Sequence, residues 1–124
     1  MAKSESVFYR YLRDQFKSLS LIRIENSALQ GTPDLLIQNK KGTFFTVELK
    51  VIKSNRKPKF SPHQISFHVQ HPKNSLILIK QKSPVASLYK LYTGDQIKSL
   101  VSCGVKTPPV ACDLSACALI FENL

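Results

Sequence analysis

Acidic residues are scarce in this sequence. Only 8 of the 124 residues are Asp or Glu, against 18 Lys and Arg, so the formal net charge at pH 7 is +10. A small protein with this excess of positive charge usually binds a polyanion. Nucleic acid is the first candidate, an anionic membrane surface is a distant second, and a charge that serves only solubility is the alternative. Because carboxylates are few, a carboxylate that falls within a motif is a stronger indication of function than it would be in an acidic protein.

Long apolar runs and paired cysteines are also missing. No run approaches the ~20 apolar residues of a membrane-spanning helix. Residues 1–6 lack the apolar segment of a signal peptide, which predicts a cytoplasmic protein with no membrane partner. The cysteines, Cys103, Cys112 and Cys117, are odd in number and lack Cys-x2-Cys spacing, so they are interpreted as small buried side chains in a reducing compartment. The sequence also has no Walker loop and no Gly-x-Gly-x-x-Gly motif.

The most informative stretch is residues 31–50, GTPDLLIQNKKGTFFTVELK, which holds two apolar runs joined by a Lys-Lys-Gly turn. Alternation in the second run places Glu48 and Lys50 on the face opposite its apolar side chains. If the runs pair as a hairpin, Asp34 and Glu48 converge at one end of the sheet. Two adjacent carboxylates repel each other unless a cation lies between them, and a hard divalent ion fits that need. The alternative is a solvated hairpin face.

The order of these residues resembles a known signature. Pro33-Asp34 followed by Glu48-Leu49-Lys50 is similar to the motif of the PD-(D/E)XK nuclease superfamily, and the pattern is similar to that of VRR-NUC domains and archaeal-type Holliday junction resolvases. The resemblance covers roughly residues 5–80. It implies a restriction-endonuclease-like core and a Mg²⁺ cofactor, with Mn²⁺ able to substitute.

The resemblance also implies a metal site. Its ligands would be Asp34, Glu48 and the main-chain carbonyl of Leu49. An acidic residue near the start of the first helix completes the site in the resembling families. Glu5 is the candidate for that place, and Glu25 is the fallback.

Two further residues complete the implied active site. Lys50 would position the attacking water or stabilise the pentacovalent phosphorus. Ser61-Pro62-His63-Gln64 matches a Ser-x-x-Gln signature of VRR-NUC-like proteins, so Gln64 would support the metal-activated water or a phosphate. The histidines His63, His68 and His71 do not have the i, i+4 spacing of a metal site on one helix face, so a phosphate contact or a packed imidazole is expected instead.

A basic, proline-containing loop is predicted over residues 51–60. It would hold the phosphate backbone without reading sequence, and a solvated connector is the alternative. The predicted nucleic-acid contacts are Lys53, Arg56, Lys57, Lys59 and His63.

The remaining elements follow from periodicity and turn residues. Ser61 and Pro62 are typical of a helix start, and the apolar run 75–81 favours a buried strand reached by a right-handed parallel crossover. The predicted elements are a helix over 5–18 capped by Ser4, strands over 19–25, 35–37, 44–51, 75–81 and 88–92, helices from 61 to about 71 and over 96–102, and a weak strand near 119–121.

The order α-β-β-β-α-β predicts an α/β fold with a mixed central sheet flanked by helices. A single domain, 1–124, is expected, with a core of about 5–81 and an α/β appendix over 82–124. The predicted function is a structure-selective DNA endonuclease that hydrolyses phosphodiester bonds in branched DNA such as Holliday junctions. It would act as a homodimer with apolar interface material in 88–92 and 116–121. The alternatives are a non-catalytic nucleic-acid-binding module on the same fold, a different DNA or RNA substrate, and a site-specific nuclease, for which little chain is left over.

Overall fold

The computed structural model describes residues 2–24 and 31–124. Its centre is a five-stranded mixed sheet with strand order β1-β2-β3-β4-β5. The strands are β1 Ser20–Arg23, β2 Leu35–Gln38, β3 Phe44–Lys53, β4 Ser75–Lys82 and β5 Leu88–Thr93. The α-helices in the described part are α1 Lys3–Gln15, α2 Pro62–Gln70, α3 Ile97–Cys103 and α4 Leu114–Asn123, and 3₁₀ turns span Gly94–Gln96 and Gly104–Lys106. The predicted α/β class with a mixed sheet is confirmed.

The predicted hairpin of β2 with β3 and the predicted parallel crossover from β3 to β4 are confirmed. β1, β2 and β3 form an antiparallel meander in which Leu35 lies opposite Val47. The chain then passes through α2 and returns as β4, which pairs in parallel with β3 and places Ile77 beside Glu48. β5 is antiparallel to β4 and forms an edge of the sheet. None of the described helices has the length and apolar character needed to cross a lipid bilayer.

One face of the sheet carries the larger apolar core. Phe8 and Leu12 of α1 and Phe121 of α4 pack there against β3 side chains such as Phe45. The rings of Phe121 and Phe45 stack with their centroids 5.1 Å apart. Burial of a side chain of this size contributes roughly 2–3 kcal/mol to folding, so α4 is a substantial part of the core.

The other face carries a smaller apolar cluster. Ile77 and Ile79 of β4 pack there with Tyr92 of β5 and with Ile97 and Leu100 of α3. Because paired strand residues project to the same face, Glu48, which is paired with Ile77, belongs to this side of the sheet. An ionisable side chain therefore lies on the face that carries this apolar cluster, beside the apolar side chain of Ile77.

Three predicted boundaries are wrong. The first helix begins at Lys3, ahead of Ser4, and its N-cap Ala2 provides no side-chain hydrogen bond. The first strand is Ser20–Arg23, shorter than 19–25, and the proposed Glu25 lies outside the described residues. β3 continues through Lys53, so the residues after Lys50 begin as strand, because their ladder with β4 continues to the end of that strand.

The C-terminal segment is a helix, and the predicted strand near 119–121 is wrong. The Asp113 side chain accepts a hydrogen bond of 2.7 Å from the backbone N–H of Ala116 and caps the helix N-terminus. Cys117 and Phe121, four residues apart, are both buried, which is the spacing of one helix face. The short apolar run alone does not distinguish strand from helix, whereas the cap and the i, i+4 burial do.

The predicted interface segments largely complete the core. Leu91, Tyr92 and Phe121 are fully buried within the chain, so they cannot serve as a docking surface. Leu88 and Leu119 keep exposed side chains. Residues 82–124, predicted as an appendix, supply an edge strand and two helices to the same sheet.

Candidate active site

Asp34 is positioned by the end of the β2–β3 ladder. The last paired residue of β2 is Leu35, opposite Val47. Beyond that pair the Asp34 carboxylate takes the place of a backbone partner, and its Oδ2 accepts a 2.9 Å hydrogen bond from the Leu49 N–H. The N–H and C=O of one strand residue point to the same side, so the Leu49 carbonyl is directed toward the side of Asp34. The predicted convergence of Asp34 with the Glu48–Lys50 segment is therefore present.

Glu48 is the most deeply buried ionisable group of the site. Its side chain is 2% exposed, and its Oε1 accepts a 2.8 Å hydrogen bond from the Gln64 amide. Its Oε2 is buried without a hydrogen-bond donor. Burial, followed by the nearby Asp34 charge, raises the pKa of Glu48 to about 9. With no cation present, this carboxyl therefore holds its proton at neutral pH, and that proton can bridge to Asp34.

Gln64 links α2 to the β3 side chains. Its Nε2 donates to Glu48, while its Oε1 accepts from the Lys50 ammonium at 3.0 Å and from the Ser61 backbone N–H at 3.0 Å. In return the Gln64 backbone N–H donates to Ser61 Oγ at 3.2 Å, so the two residues form a capping box. Because Oε1 faces two donors and Nε2 faces a carboxyl oxygen, the assignment of the amide oxygen and nitrogen is fixed. The helix cap and the site are thus one hydrogen-bonded unit.

Lys50 is held from two sides. Besides its bond to Gln64, its ammonium lies 4.9 Å from the centroid of the Phe60 ring, a cation–π contact. The side chain is half-buried. These contacts restrict a long side chain that otherwise loses rotamer freedom on binding a ligand, so the cation is preorganised beside Glu48.

Glu5 reaches the site from α1, whose apolar side packs on the opposite face of the sheet. Burial and, second, the charge of Asp34 raise the pKa of Glu5. Burial also raises the pKa of Asp34, although the Leu49 N–H and Lys50 oppose that rise. Glu5 and Asp34 also influence the Glu48 carboxyl. The three predicted acidic residues therefore form one electrostatic unit, and the positive charge of Lys50 opposes the pKa rise of each.

The predicted metal ligands have the right atoms for a hard divalent cation but are not arranged as a closed metal site. No group of three or more His, Cys, Asp and Glu side chains in residues 2–24 and 31–124 is assembled as a metal cluster. Asp34 Oδ2 accepts a hydrogen bond from the Leu49 N–H, and Glu48 Oε1 accepts one from Gln64. However, Glu48 Oε2 is buried without a donor, so the ionised form of this carboxyl requires a positive partner at that oxygen. The oxygen atoms present are those that Mg²⁺ prefers.

The predicted nucleic-acid contacts are distributed around the end of β3. Arg56, Lys57 and Lys59 are exposed in the segment between β3 and α2, and His63 is exposed in the first turn of α2. Lys53 is the last residue of β3, and alternation places it on the face opposite Lys50. The Lys57 ammonium donates to the Ser102 carbonyl at 2.8 Å, so part of this segment is attached to the C-terminal half.

His68 is a packed imidazole, one of the two roles that the sequence left open for the histidines. It is 1% exposed, and its Nδ1 lies 2.6 Å from Ser75 Oγ. Burial, with a smaller effect from the Lys50 charge, lowers the pKa of His68 to about 4. The ring is therefore neutral in the folded protein near neutral pH and fastens α2 to the start of β4.

Sequence reasoning gave no role to Gly31, although the motif contains it. Its φ is +84°, and a Cβ at this position would lie 2.5 Å from the backbone carbonyl carbon and oxygen of His63. Only a glycine allows this approach, which brings the segment that leads to Asp34 against the first turn of α2. The Gly-x-Pro-Asp pattern was the available signal, because glycine three residues before a candidate ligand favours a close backbone contact.

Gly31→Ala is expected to destabilise the protein by more than the 1–2 kcal/mol or so of left-handed backbone strain, because the methyl group also collides with His63. Urea-induced unfolding measures the change in the free energy of unfolding. Gly42→Ala is the matched control: Gly42 has φ +85°, but its nearest neighbour would be the flexible Gln38 side chain at 4.0 Å. Equal losses in the two variants would contradict the Gly31–His63 contact.

Comparison with protein-family models, with curated proteins and with solved structures finds no match for this chain. The resemblance to the nuclease superfamily therefore stays a prediction, and its basis is the motif of Asp34, Glu48 and Lys50.

Proposed function

We propose that the protein is a metal-dependent DNA endonuclease that hydrolyses phosphodiester bonds. The observation that carries the proposal is the unit formed by Glu48, Gln64 and Lys50, with Asp34 fixed beside it by the Leu49 N–H. A carboxyl buried to 2% exposure carries a desolvation cost, and its Oε2 has no hydrogen-bond donor to stabilise the ionised form. Residues that break a folding rule in this way are typical of functional sites.

Mg²⁺ or Mn²⁺ would be held by Asp34, Glu48 and the Leu49 carbonyl, with Glu5 contributing from α1. The ion, when bound, activates water and neutralises charge on the scissile phosphate. Its ligands must be ionised, so binding releases the proton that Glu48 holds in the metal-free protein.

Lys50 and the exposed cations act on the phosphate groups directly, and Gln64 positions the side chains of the site. Lys50 places a fixed positive charge where negative charge develops on the reacting phosphate, and it needs no rearrangement to do so because Gln64 and Phe60 already hold it. Gln64 keeps the Glu48 carboxylate and the Lys50 ammonium at set positions on one face. The exposed cations after β3, together with His63, hold the DNA backbone without reading its sequence.

A nuclease assay tests this function. Labelled four-way junction, flap, linear duplex DNA and single-stranded RNA are each incubated with Mg²⁺, with Mn²⁺ and with EDTA, and the products are separated on a gel. Cleavage of DNA in Mg²⁺ that EDTA abolishes is expected. Binding without any cleavage under all metal conditions would instead favour a non-catalytic binding module, and cleavage of RNA alone would change the substrate.

A homodimer is the proposed active form on branched DNA. One chain presents one candidate site, and a four-way junction offers two symmetry-related strands, which a two-fold dimer matches. The exposed apolar side chains beside the β5 edge offer a surface for this contact. Leu88 is exposed there, and Tyr11 of α1 stacks on Tyr89 with the ring centroids 6.2 Å apart.

Light scattering is expected to return the mass of two chains of 14.0 kDa each. Junction DNA should be cut in preference to linear duplex, because shape rather than sequence guides the cut. A monomeric mass at the assay concentration, or equal rates on junction and duplex, would contradict the dimer.

A further inference from the structure

A cleft lined by basic side chains lies beside the end of β3, apart from the carboxylates of the candidate site. It has a volume of about 640 Å³. Its polar lining consists of Asn55, Lys57, Lys90, Ser102, Cys103 and Lys106. No Asp or Glu of the described residues lines it, and none of its three lysines forms an ion pair within that part of the chain. Three ammonium groups around one cleft repel each other, and a bound anion relieves that repulsion.

The walls of the cleft are fixed by contacts with the rest of the fold. Lys57 is held through its hydrogen bond to the Ser102 carbonyl, and Gly104 packs so closely that an added Cβ would lie 3.0 Å from Lys57 Cγ. On the other side, the Gln81 amide donates to the Ser54 carbonyl at 2.7 Å and to Asn55 Oδ1 at 3.1 Å. Because the Asn55 oxygen is engaged in this way, a ligand in the cleft would meet its NH₂ group, which is a donor.

The strand register relates this cleft to the candidate site. Lys50 pairs with Ile79, and Ile79 pairs with Lys90, so the three side chains share one face and one row across β3, β4 and β5. Neighbouring strands are about 4.8 Å apart, which puts the backbones of Lys50 and Lys90 about 10 Å apart. One strand of B-form DNA carries a phosphate roughly every 3.4 Å along the axis, so this distance spans about three nucleotides.

We propose that the cleft of Lys57, Lys90 and Lys106 binds phosphate groups of a nucleic-acid strand that extends from the Glu48–Lys50 site. The ligand class is a phosphodiester backbone, held by charge and by the Asn55 amide rather than by base recognition. The inference rests on the proposed function, because the same nucleic-acid strand would contact the Glu48–Lys50 site and the cleft. It adds a second contact region, on β5 and the turn after α3, to the basic segment that follows β3.

The native cysteines provide a direct test. Cys103 is exposed in the cleft, Cys112 is exposed outside it, and Cys117 is buried. The prediction that all three cysteines are buried is therefore wrong for Cys103 and Cys112. The whole chain is alkylated with a maleimide in EDTA, with and without saturating short duplex or junction DNA, and labelling is quantified at each cysteine by mass spectrometry. DNA is expected to slow labelling of Cys103 while Cys112 reacts at an unchanged rate.

Paired charge variants provide a second readout. Lys90→Gln with Lys106→Gln is expected to reduce the slope of log K against log salt for duplex DNA by about 1.8, since each lost phosphate contact lowers it by about 0.9. Lys40→Gln with Lys41→Gln removes the same charge at the β2–β3 turn, at the other end of β3, and should leave the slope nearly unchanged. Thermal unfolding of both variants verifies that each remains folded.

The outcomes separate this inference from the proposed function. Cleavage in Mg²⁺ with no protection of Cys103, or equal slope changes in the two lysine pairs, would overturn the cleft while leaving the nuclease in place. Protection of Cys103 without cleavage would support the cleft and reject the nuclease. Protection by poly-glutamate but not by DNA would assign the cleft to an acidic protein, and no DNA binding by the unsubstituted chain would overturn both proposals.

Discussion

Asp34→Ala, Glu48→Ala and Lys50→Ala are each expected to abolish cleavage while leaving DNA affinity largely intact. The two carboxylates would lose the ion, and loss of a preorganised charge such as Lys50 costs about 10²–10³-fold in rate. Affinity depends on many distributed cations, so removal of one side chain at the site changes it little. Single-turnover cleavage of junction DNA in Mg²⁺ and fluorescence anisotropy in EDTA measure the two properties separately.

Glu5→Ala should reduce cleavage less than these three changes, because Glu5 reaches the site from α1 and interacts mainly with Asp34. Asp14→Ala, which removes an exposed carboxylate elsewhere on α1, is the control for the loss of negative charge. A Glu48→Ala enzyme with full activity would reject the assignment of the site. Loss of DNA binding in all three variants would instead indicate a binding surface rather than a catalytic one.

Glu48→Gln is expected to stabilise the metal-free protein at alkaline pH. The folded-state pKa of Glu48 is about 9, against an ordinary value of 4.5, so between these values the folded protein holds a proton that the unfolded chain has released. Unfolding then releases a proton, and the stability contributed by this group falls as pH rises from 4.5 to 9. A glutamine carries no such linkage, and its amide retains an oxygen to accept from Gln64. The gain at pH 9 should exceed about 1.4 kcal/mol, the equivalent of one pKa unit.

Urea unfolding in EDTA at pH 7 and pH 9 measures this gain. His68 does not contribute between pH 7 and pH 9, because its pKa in the folded protein, about 4, and its ordinary value, 6.5, both lie below this range. Mg²⁺ should raise the melting temperature of the unsubstituted protein and not that of Glu48→Gln, because a ligand stabilises only the form that binds it. Asp14→Asn is the control. A Glu48→Gln variant that is less stable than the parent at pH 9 would show that the carboxyl is ionised and satisfied without a metal.

Together these two results would connect stability with function. A variant that is more stable and inactive is the expected signature of a site whose strained charges are retained for chemistry. A variant that is less stable and inactive would fit a structural carboxylate equally well, so both measurements are needed.

Local patterns in the sequence predicted several features of the fold and of the site. Period-2 alternation placed Glu48 and Lys50 on one face, and the Lys-Lys-Gly turn between two apolar runs predicted the hairpin that aligns Leu35 with Val47. Ser61 with Pro62 predicted the start of α2. These features succeed because each depends on residues within a few positions of one another, where backbone geometry and capping decide the outcome.

Tertiary packing decided the features that local patterns could not. The run near Phe121 forms a helix because Asp113 caps it and its buried side meets Phe45, which is distant in the sequence. The Gly-x-Pro-Asp pattern favours a close backbone contact at Gly31, but only the fold shows that the partner is His63.

The chemistry of the site divides in the same way. The sequence by itself determined which side chains are present and which strand faces they occupy. Only the fold buried Glu48, left its Oε2 without a donor and set Gln64 between it and Lys50. The physical reason is that desolvation and charge–charge interaction depend on distances between separate elements, which sequence order does not fix.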